Sequence, residues 1–267
     1  MAGTQIRIVL IFWRLVGVSV KMNKIAAGAR EALADVFDGA VILCGGFGCV
    51  GGMPSTLLRA LSELPVKNLT LVGNAPALGL EAQQTAARTM QVPDSYADGS
   101  LLLKNGQVRK LIASVPAMAI YRLQEPFPIV KALQEGQDIE IELVPQGTLA
   151  ERIRAARAGI PAFYTGTGTG TLLEKDKEVR QIDGRPYLLE YALKADFALI
   201  WAYQADRYGN LIYKGTSRTF NATMAGAAAV TVAEVAGVVE PGELDPEIIV
   251  TPGMYVDRVV VRQGETG

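Results

Sequence analysis

Histidine is absent from the 267 residues of this chain, and cysteine occurs only twice. Without histidine, neither Ser-His-Asp nor Cys-His catalysis can be built, and a common zinc ligand is missing. Acid-base or nucleophilic chemistry must therefore use carboxylates or amides, and we expect no metal site. The two cysteines, Cys44 and Cys49, exclude a disulfide framework and predict a reducing compartment, the cytoplasm. We expect both to be packing residues rather than reactive thiols.

Neither sign of charge dominates, because 26 Lys and Arg face 27 Asp and Glu. No run of basic residues occurs of the kind that binds a phosphate backbone, so nucleic acid is not an expected partner. Long apolar runs are also missing. The runs at 8–13 and 15–20 are separated by Arg14, and each is too short to span a bilayer, so no membrane partner is expected. We interpret residues 1–21 as an N-terminal extension, an extra strand or a loosely held tail, and residues 22–267 as one domain.

Apolar runs and helical patterns alternate along the chain. Buried strands are predicted at 40–44, 69–72 and 139–144, and helices at 25–34, 54–64, 81–90 and 149–158. Strands that alternate with helices predict an α/β fold with an open, mainly parallel sheet and helices on both faces. Short antiparallel strands are expected to follow in the last third of the chain.

Turn signals divide the remaining segments. Asn105-Gly106 predicts a hairpin within residues 101–111, and the segment 159–171, rich in glycine and threonine, predicts a loop. Short strands are predicted around Val179 and Tyr187 and at 198–201, 211–213 and 230–235. Tyr208-Gly209-Asn210 predicts a turn between two of them.

A glycine-rich segment, GGFGCVGGMP at 45–54, connects the strand predicted at 40–44 to the helix predicted at 54–64. Residues 46–51 match the dinucleotide fingerprint G-x-G-x-x-G, which makes a nicotinamide enzyme one reading. That reading needs an acidic residue about 20 positions on to bind the ribose, where this chain has Gly73 and Asn74. A P-loop is excluded because no Gly-Lys-Ser/Thr occurs. The glycines can also serve only to permit close packing and positive φ.

The wider segment DGAVILCGGFGCVGGMP at 38–54 resembles the α-subunit signature of family I coenzyme A transferases. Its Gly45, Gly46, Phe47 and Gly52-Met53-Pro54 stand at the family's positions, although four residues rather than three separate Phe47 from Gly52. Four further blocks resemble the family, so that the likeness covers most of the chain after residue 22. They are PQGTLAERIRA at 145–155, AGIPAFYTGTGTGTLLE at 158–174, DFALIWAYQADRYGNLIYKG at 196–215 and GELDPEIIVTPGMYVDRVV at 242–260.

The resemblance implies a covalent mechanism that needs neither histidine nor a metal. In this family a glutamate carboxylate attacks an acyl-CoA, and an enzyme thioester with coenzyme A then accepts a second acid. That glutamate lies in a Glu-Asn-Gly setting on a β subunit, and no glutamate of this chain is followed by Asn-Gly. We therefore expect a β-subunit partner, an active site at the interface between the two subunits, acyl-CoA and a carboxylic acid as substrates, and no permanently bound cofactor.

The resemblance also implies roles for individual residues. Gln146 matches a glutamine that approaches the partner's glutamate, and a neutral amide can position a carboxylate without quenching its charge. The alternative for Gln146 is an ordinary polar residue at a helix N-terminus. Asn74 matches an asparagine near the acid substrate. The residues expected to line the substrate site or the interface are Gly45, Gly46, Phe47 and Gly48, with core packing as the alternative for Phe47.

Two departures from the family leave the reaction open. A second family asparagine is replaced by Ala75, and residues 115–118 read Val-Pro-Ala-Met where Val-Gly-Glu-Asn is typical. Both changes remove polar groups from the expected acid site. Hydrolysis of a CoA ester, or a CoA-dependent ring opening, on the same scaffold is therefore the alternative to CoA transfer. A regulator that binds a nucleotide or sugar phosphate is disfavoured, because the ribose-binding acid is missing.

Overall fold

The computed structural model describes residues 23–48, 51–86, 92, 95–118 and 125–262. Its α-helices, most of them short, are α1 Ala29–Ala32, α2 Ser55–Ser62, α3 Leu80–Ala86, α4 Ser100–Lys104, α5 Pro128–Gln134, α6 Gln146–Arg157 and α7 Asn221–Met224. The predicted extension at 1–21 and Cys49 lie outside the described residues. No helix in the described part of the chain is both long and apolar enough to cross a membrane.

Among the described residues the main sheet has eight strands, and every neighbouring pair along its main path is parallel. The order is β11 Arg258–Val261, β10 Ala228–Val239, β8 Ala195–Asp206, β1 Val41–Cys44, β2 Leu69–Gly73, β3 Val108–Ala113 and β4 Glu140–Leu143. The eighth strand, β9 Leu211–Ile212, pairs antiparallel with β8. This arrangement confirms the α/β fold with an open, mainly parallel sheet.

Both faces of the sheet are buried, because side chains that alternate along each strand enter two separate cores. Ile42 of β1 packs in the core that also contains helices α2, α4 and α5, whereas its neighbour Leu43 packs in the core beneath α6 and α7. Both of these strand residues are fully buried. The prediction of helices on both faces is therefore confirmed.

A separate antiparallel sheet of three strands joins β5 Ala162–Thr165, β7 Arg185–Tyr191 and β6 Val179–Ile182, in that order. The predicted short antiparallel strands are confirmed here. The prediction of a continuous loop at 159–171 is wrong in one part, because residues 162–165 pair with β7. Because threonine and glycine are frequent in this segment, its four-residue strand was not predicted.

Two predictions of local structure are wrong. The predicted helix at 25–34 is reduced to α1, since Ile25 bridges to Val259 and extends the edge of the sheet instead. The predicted hairpin at Asn105-Gly106 is a turn between a helix and a strand. Asn105 is the C-terminal cap of α4, and Gly106 follows with φ of 65°, before β3 begins.

Candidate functional site

The residues predicted to form the site follow the carboxyl ends of neighbouring strands. Gly45 follows β1, Asn74 follows β2, and Gln146 begins the helix after β4. Because these strands are parallel, their carboxyl ends meet at one edge of the sheet, which is where open α/β sheets bind ligands. The structure thus brings the predicted residues to the same edge.

The glycine-rich segment is fastened by Asn221, the first residue of α7. Its Nδ2 donates to the carbonyls of Gly52 at 2.9 Å and Ser217 at 2.7 Å, and its Oδ1 accepts from the backbone N–H of Trp201 at 3.0 Å. A methyl group at Gly45 would overlap that Oδ1. Gly45 is therefore required by the close approach of a fully buried amide, as well as matching the family signature.

The far end of the same segment is fixed by a buried ion pair. Glu234 of β10 is fully buried, and it accepts from Arg262 Nε at 2.6 Å and from the backbone N–H groups of Thr56 and Leu57 in the first turn of α2. Arg262 also donates to the carbonyl of Met53 at 3.0 Å. Burial raises the pKa of Glu234, while the Arg262 guanidinium opposes that rise. The pair locks the start of α2 against the sheet.

Two of the predicted residues, Phe47 and Gln146, line one shallow depression of about 450 Å³. Phe47 is half-buried and stacks on Phe220, with ring centroids 6.2 Å apart and planes inclined by 25°. The other residues of the wall are Ala150 and three threonines, Thr216, Thr219 and Thr223. The depression therefore combines an aromatic surface with neutral hydrogen-bonding groups.

Gln146 is exposed and is the first residue of α6, which follows Pro145. No side chain caps this helix N-terminus, so the interpretation of Gln146 as a capping residue finds no support in a hydrogen bond. Because Gln146 is exposed, its amide can meet a group that enters from outside the chain. Gly45, Gly46 and Gly48 are buried, and Asn74 is 3% exposed. These four residues do not belong to the wall of the depression.

Two buried amides at this edge carry polar atoms that have no hydrogen-bond partner in the described part of the chain. They are Oδ1 of Asn74, and both Nε2 and Oε1 of Gln83, which is 1% exposed. A methyl group built at Gly48 would lie 3.1 Å from both polar atoms of Gln83. An unpaired buried amide is costly for stability, so such groups in a native fold call for an explanation.

Cys44 ends β1 and is buried. Burial raises the pKa of its thiol well above the ordinary value, and the negative charge of Asp98 raises it further. A thiol in this state is a poor nucleophile. Among the described residues no group of three or more Cys, Asp or Glu is placed to hold a metal ion.

A larger cavity of about 490 Å³ lies between α3, α4 and α5, against Leu103 and Phe127. None of the predicted site residues lines it. Size alone would favour this cavity, but two of the six predicted site residues, Phe47 and Gln146, line the depression and none lines the cavity.

Sequence reasoning missed three residues of this edge: Asn221, Thr219 and Gln83. Asn221 contacts a segment 169 residues away in the chain, and no local pattern reports such a contact. Thr219 is distinguished by the positive φ of its backbone, which only the structure shows. The burial of Gln83 on α3 is likewise known only from the structure.

The chain is similar to a known protein family and to individual subunits of known enzymes. The family model described as Coenzyme A transferase matches residues 27–262. The chain is 45% identical over 239 residues to one subunit of the 3-oxoadipate CoA-transferase of Acinetobacter baylyi, a match that covers 90% of this chain and 95% of that one. It is 42% identical over 241 residues to one subunit of a probable succinyl-CoA:3-ketoacid coenzyme A transferase of Bacillus subtilis, with 90% of each chain covered.

Solved structures support the same fold. Glutaconate coenzyme A-transferase from Acidaminococcus fermentans superposes with a TM-score of 0.69 at 20% identity. The match covers 89% of this chain and 75% of that one. At this level of identity the likeness concerns the fold alone.

Proposed function

The chain belongs to the coenzyme A transferase family, and on that premise we propose that it is the α subunit of an enzyme that moves coenzyme A from an acyl-CoA to a carboxylic acid. The acid is proposed to be a 3-oxo acid. The observation that carries this proposal is the 45% identity to one subunit of a 3-oxoadipate CoA-transferase, which extends over 95% of that chain. Similarity over nearly the full length of one subunit supports the same division of labour between two chains.

The proposed reaction proceeds by covalent catalysis on a glutamate of the β subunit. The carboxylate attacks the acyl-CoA carbonyl and expels CoA thiolate, which leaves an acyl-glutamyl anhydride. The thiolate attacks the glutamyl carbonyl and expels the first acid as a carboxylate, which leaves a glutamyl-CoA thioester. The second acid then reverses both steps and departs as its CoA ester. No net proton is gained or lost.

The proposed role of this chain is to supply one wall of the site. Gln146 offers a neutral N–H donor to the partner's carboxylate, and the exposure of Gln146 beside the depression supports that role. Phe47 and Phe220 offer an apolar surface that strengthens such a hydrogen bond by lowering the local dielectric. Gly45, Gly46, Gly48 and Asn74 are proposed to shape the adjoining edge, where acyl substrate and partner meet.

Coenzyme A enters this scheme as part of the substrate, and no permanently bound cofactor is proposed. Neither nucleic acid nor membrane is proposed as a partner. We place the enzyme in the cytoplasm, in keeping with a sequence that has only two cysteines and no disulfide framework.

Hydrolysis or CoA-dependent ring opening on the same scaffold is the second candidate. It is favoured by one specific observation, the loss of polar groups at Ala75, Ala117 and Met118, where the resemblance implies two amides and a carboxylate. In a hydrolase, water would replace the second acid. The two candidates differ in whether coenzyme A is released when no acceptor acid is present.

The test uses this chain, a β-subunit chain with a Glu-Asn-Gly motif encoded beside it, and the two co-expressed. We expect CoA transfer from succinyl-CoA to 3-oxo acids only from the co-expressed pair. With acyl-CoA alone, the β chain should gain the mass of coenzyme A less one water. Transfer by the purified single chain would contradict the division of labour. Release of free coenzyme A without an acceptor acid would favour the hydrolase.

A further inference from the structure

Thr219 has a backbone conformation that a β-branched residue rarely adopts. Its φ is 27° and its ψ is −130°, between the 3₁₀ turn Gly215–Arg218 and helix α7. Positive φ at a branched non-glycine residue is strained, and such strain collects at functional sites. Thr219 also lines the depression that contains Phe47 and Gln146.

The neighbours on both sides prevent this strain from relaxing. Ser217 donates from Oγ to the carbonyl of Lys214 at 2.6 Å, and its own carbonyl accepts from Asn221 at 2.7 Å. On the other side Phe220 is 7% exposed and stacks on Phe47. Strain persists only where the surrounding structure fixes it, and here both flanking segments are fixed.

The hydroxyl of Thr219 is shielded from solvent, and its Oγ1 has no hydrogen-bond partner among the described residues. A shielded hydroxyl without a partner destabilises the fold, and the strained backbone adds to that cost. Two unfavourable features at one residue, in the wall of the candidate site, indicate a role that is fulfilled only when another molecule is present.

We infer that Thr219 is a further binding residue of the site, whose hydroxyl donates a hydrogen bond to a carboxylate that enters the depression beside Gln146. This inference rests on the proposed function. A carboxylate accepts several hydrogen bonds at once, so an amide and a hydroxyl can bind it together. Both donors are neutral, and the stacked rings of Phe47 and Phe220 give the depression an apolar surface beside them. The carboxylate is that of the acid substrate or that of the partner's glutamate.

The test compares Thr219→Val with Thr219→Ser in the co-expressed enzyme. Valine keeps the branched shape and removes the hydroxyl, whereas serine keeps the hydroxyl. We expect at least a tenfold loss of kcat/KM for Thr219→Val, recovery to near the parent value for Thr219→Ser, and no fall in the unfolding temperature for either. The control is Thr70→Val, a half-buried threonine near the amino end of β2, which should leave kcat/KM within twofold.

The kinetic constants identify the source of the carboxylate. A rise in KM for the acid with kcat retained indicates the acid substrate, and a fall in kcat with KM retained indicates the partner's glutamate. A third variant, Thr219→Gly, should raise the unfolding temperature while losing the same activity, because glycine relieves the strain.

Activity of Thr219→Val equal to that of the parent enzyme would overturn the inference, and so would a loss that Thr219→Ser does not restore. A parent enzyme that transfers CoA to no acid would instead contradict the proposed function. The two failures are therefore distinguishable.

Discussion

The end of the main sheet where its parallel strands begin (the amino edge) and the end where they finish (the carboxyl edge) differ in how their polar groups are hydrogen-bonded. At the amino edge, two aspartates accept hydrogen bonds from strand backbones: Asp196 from the N–H of Val41, which begins β1, and Asp257 from that of Thr231, the fourth residue of β10. At the carboxyl edge, the amides of Asn74 and Gln83 carry polar atoms without partners in the described part of the chain. Among the described residues the amino edge also carries one such atom, Gln137 Oε1 before β4, so the two edges differ in degree.

Two buried glutamines, one at each edge, show this difference in hydrogen bonding. Gln107, at the amino end of β3, is 4% exposed; its Nε2 donates to the carbonyls of Leu64 and Val66, and its Oε1 accepts from Asn105. Gln83 is equally buried and makes no such bond among the described residues. The same side chain therefore stabilises one edge and is expected to destabilise the other.

The largest effect is expected at Gln146 of the carboxyl edge. Gln146→Ala should lower kcat of the co-expressed enzyme by about a hundredfold, because one preorganised donor to a reacting carboxylate contributes about 3 kcal/mol. The assembly should remain intact by size-exclusion chromatography, since Gln146 is exposed and caps no helix. Gln181→Ala, an exposed glutamine on β6, is the control. An unchanged kcat would return Gln146 to the interpretation of an ordinary residue at a helix terminus.

At the amino edge, Gln107→Met should destabilise the fold by about 2–3 kcal/mol. Methionine matches the length of glutamine but leaves the carbonyls of Leu64 and Val66 buried without their donor, and each unpaired group costs about 1–3 kcal/mol. Urea denaturation of the parent and variant measures the difference. Equal stability would mean that these hydrogen bonds contribute nothing net, and the contrast between the edges would fail.

The matched change at the carboxyl edge should have the opposite sign. Gln83→Met removes two buried polar atoms that have no partner in the described residues, so the fold should become more stable by about 1 kcal/mol. Urea denaturation measures the change in unfolding free energy for Gln83→Met alongside that for Gln107→Met. A loss of stability as large as that of Gln107→Met would show that Gln83 is satisfied in solution.

The strands and the helix that form the carboxyl edge were predicted well from the sequence. The patterns that predict them are local, because they involve residues close together in the chain. Apolar runs located β1 and β2, and Pro54 with spaced leucines located α2 to within two residues. Gln146 was identified through its resemblance to a family motif, and the structure places it beside Phe47. Helix α6 begins three residues earlier than predicted, at Gln146 itself.

The remaining features could not be predicted because they depend on contacts between distant segments. The pairing of Ile25 with Val259 overrides the helical pattern around Ile25, and the position of Asn221 against Gly52 has no local signature. The strain at Thr219 arises from restraints on both sides of it. Helical propensity is a weak preference that such contacts routinely override.

The smallest effect is expected at an ion pair of the amino edge. Arg258 begins β11 and donates to both carboxylate oxygens of Asp35, at 2.5 and 2.6 Å, and these hydrogen bonds lower the pKa of Asp35. A carboxyl whose pKa is lower in the folded state stabilises the fold above its ordinary pKa, and that contribution is lost as the pH falls through the lower value. Half of the Asp35 side chain is exposed, so solvent screening limits the contribution to about 0.2–1 kcal/mol.

Asp35→Asn should therefore lower stability slightly at pH 7, and the difference from the parent should shrink progressively as the pH falls below about 4, the ordinary pKa of an aspartate. Urea denaturation between pH 3 and pH 7 measures the difference, with Glu63→Gln, an exposed carboxylate at the end of α2, as the control. Raising the salt to about 1 M should shrink the effect at pH 7, because the screening length then falls to about 3 Å. A difference that grew toward acid pH would mean that the Asp35 carboxylate opposes folding, and the amino edge would then contain a destabilising charge like the unpaired groups of the opposite edge.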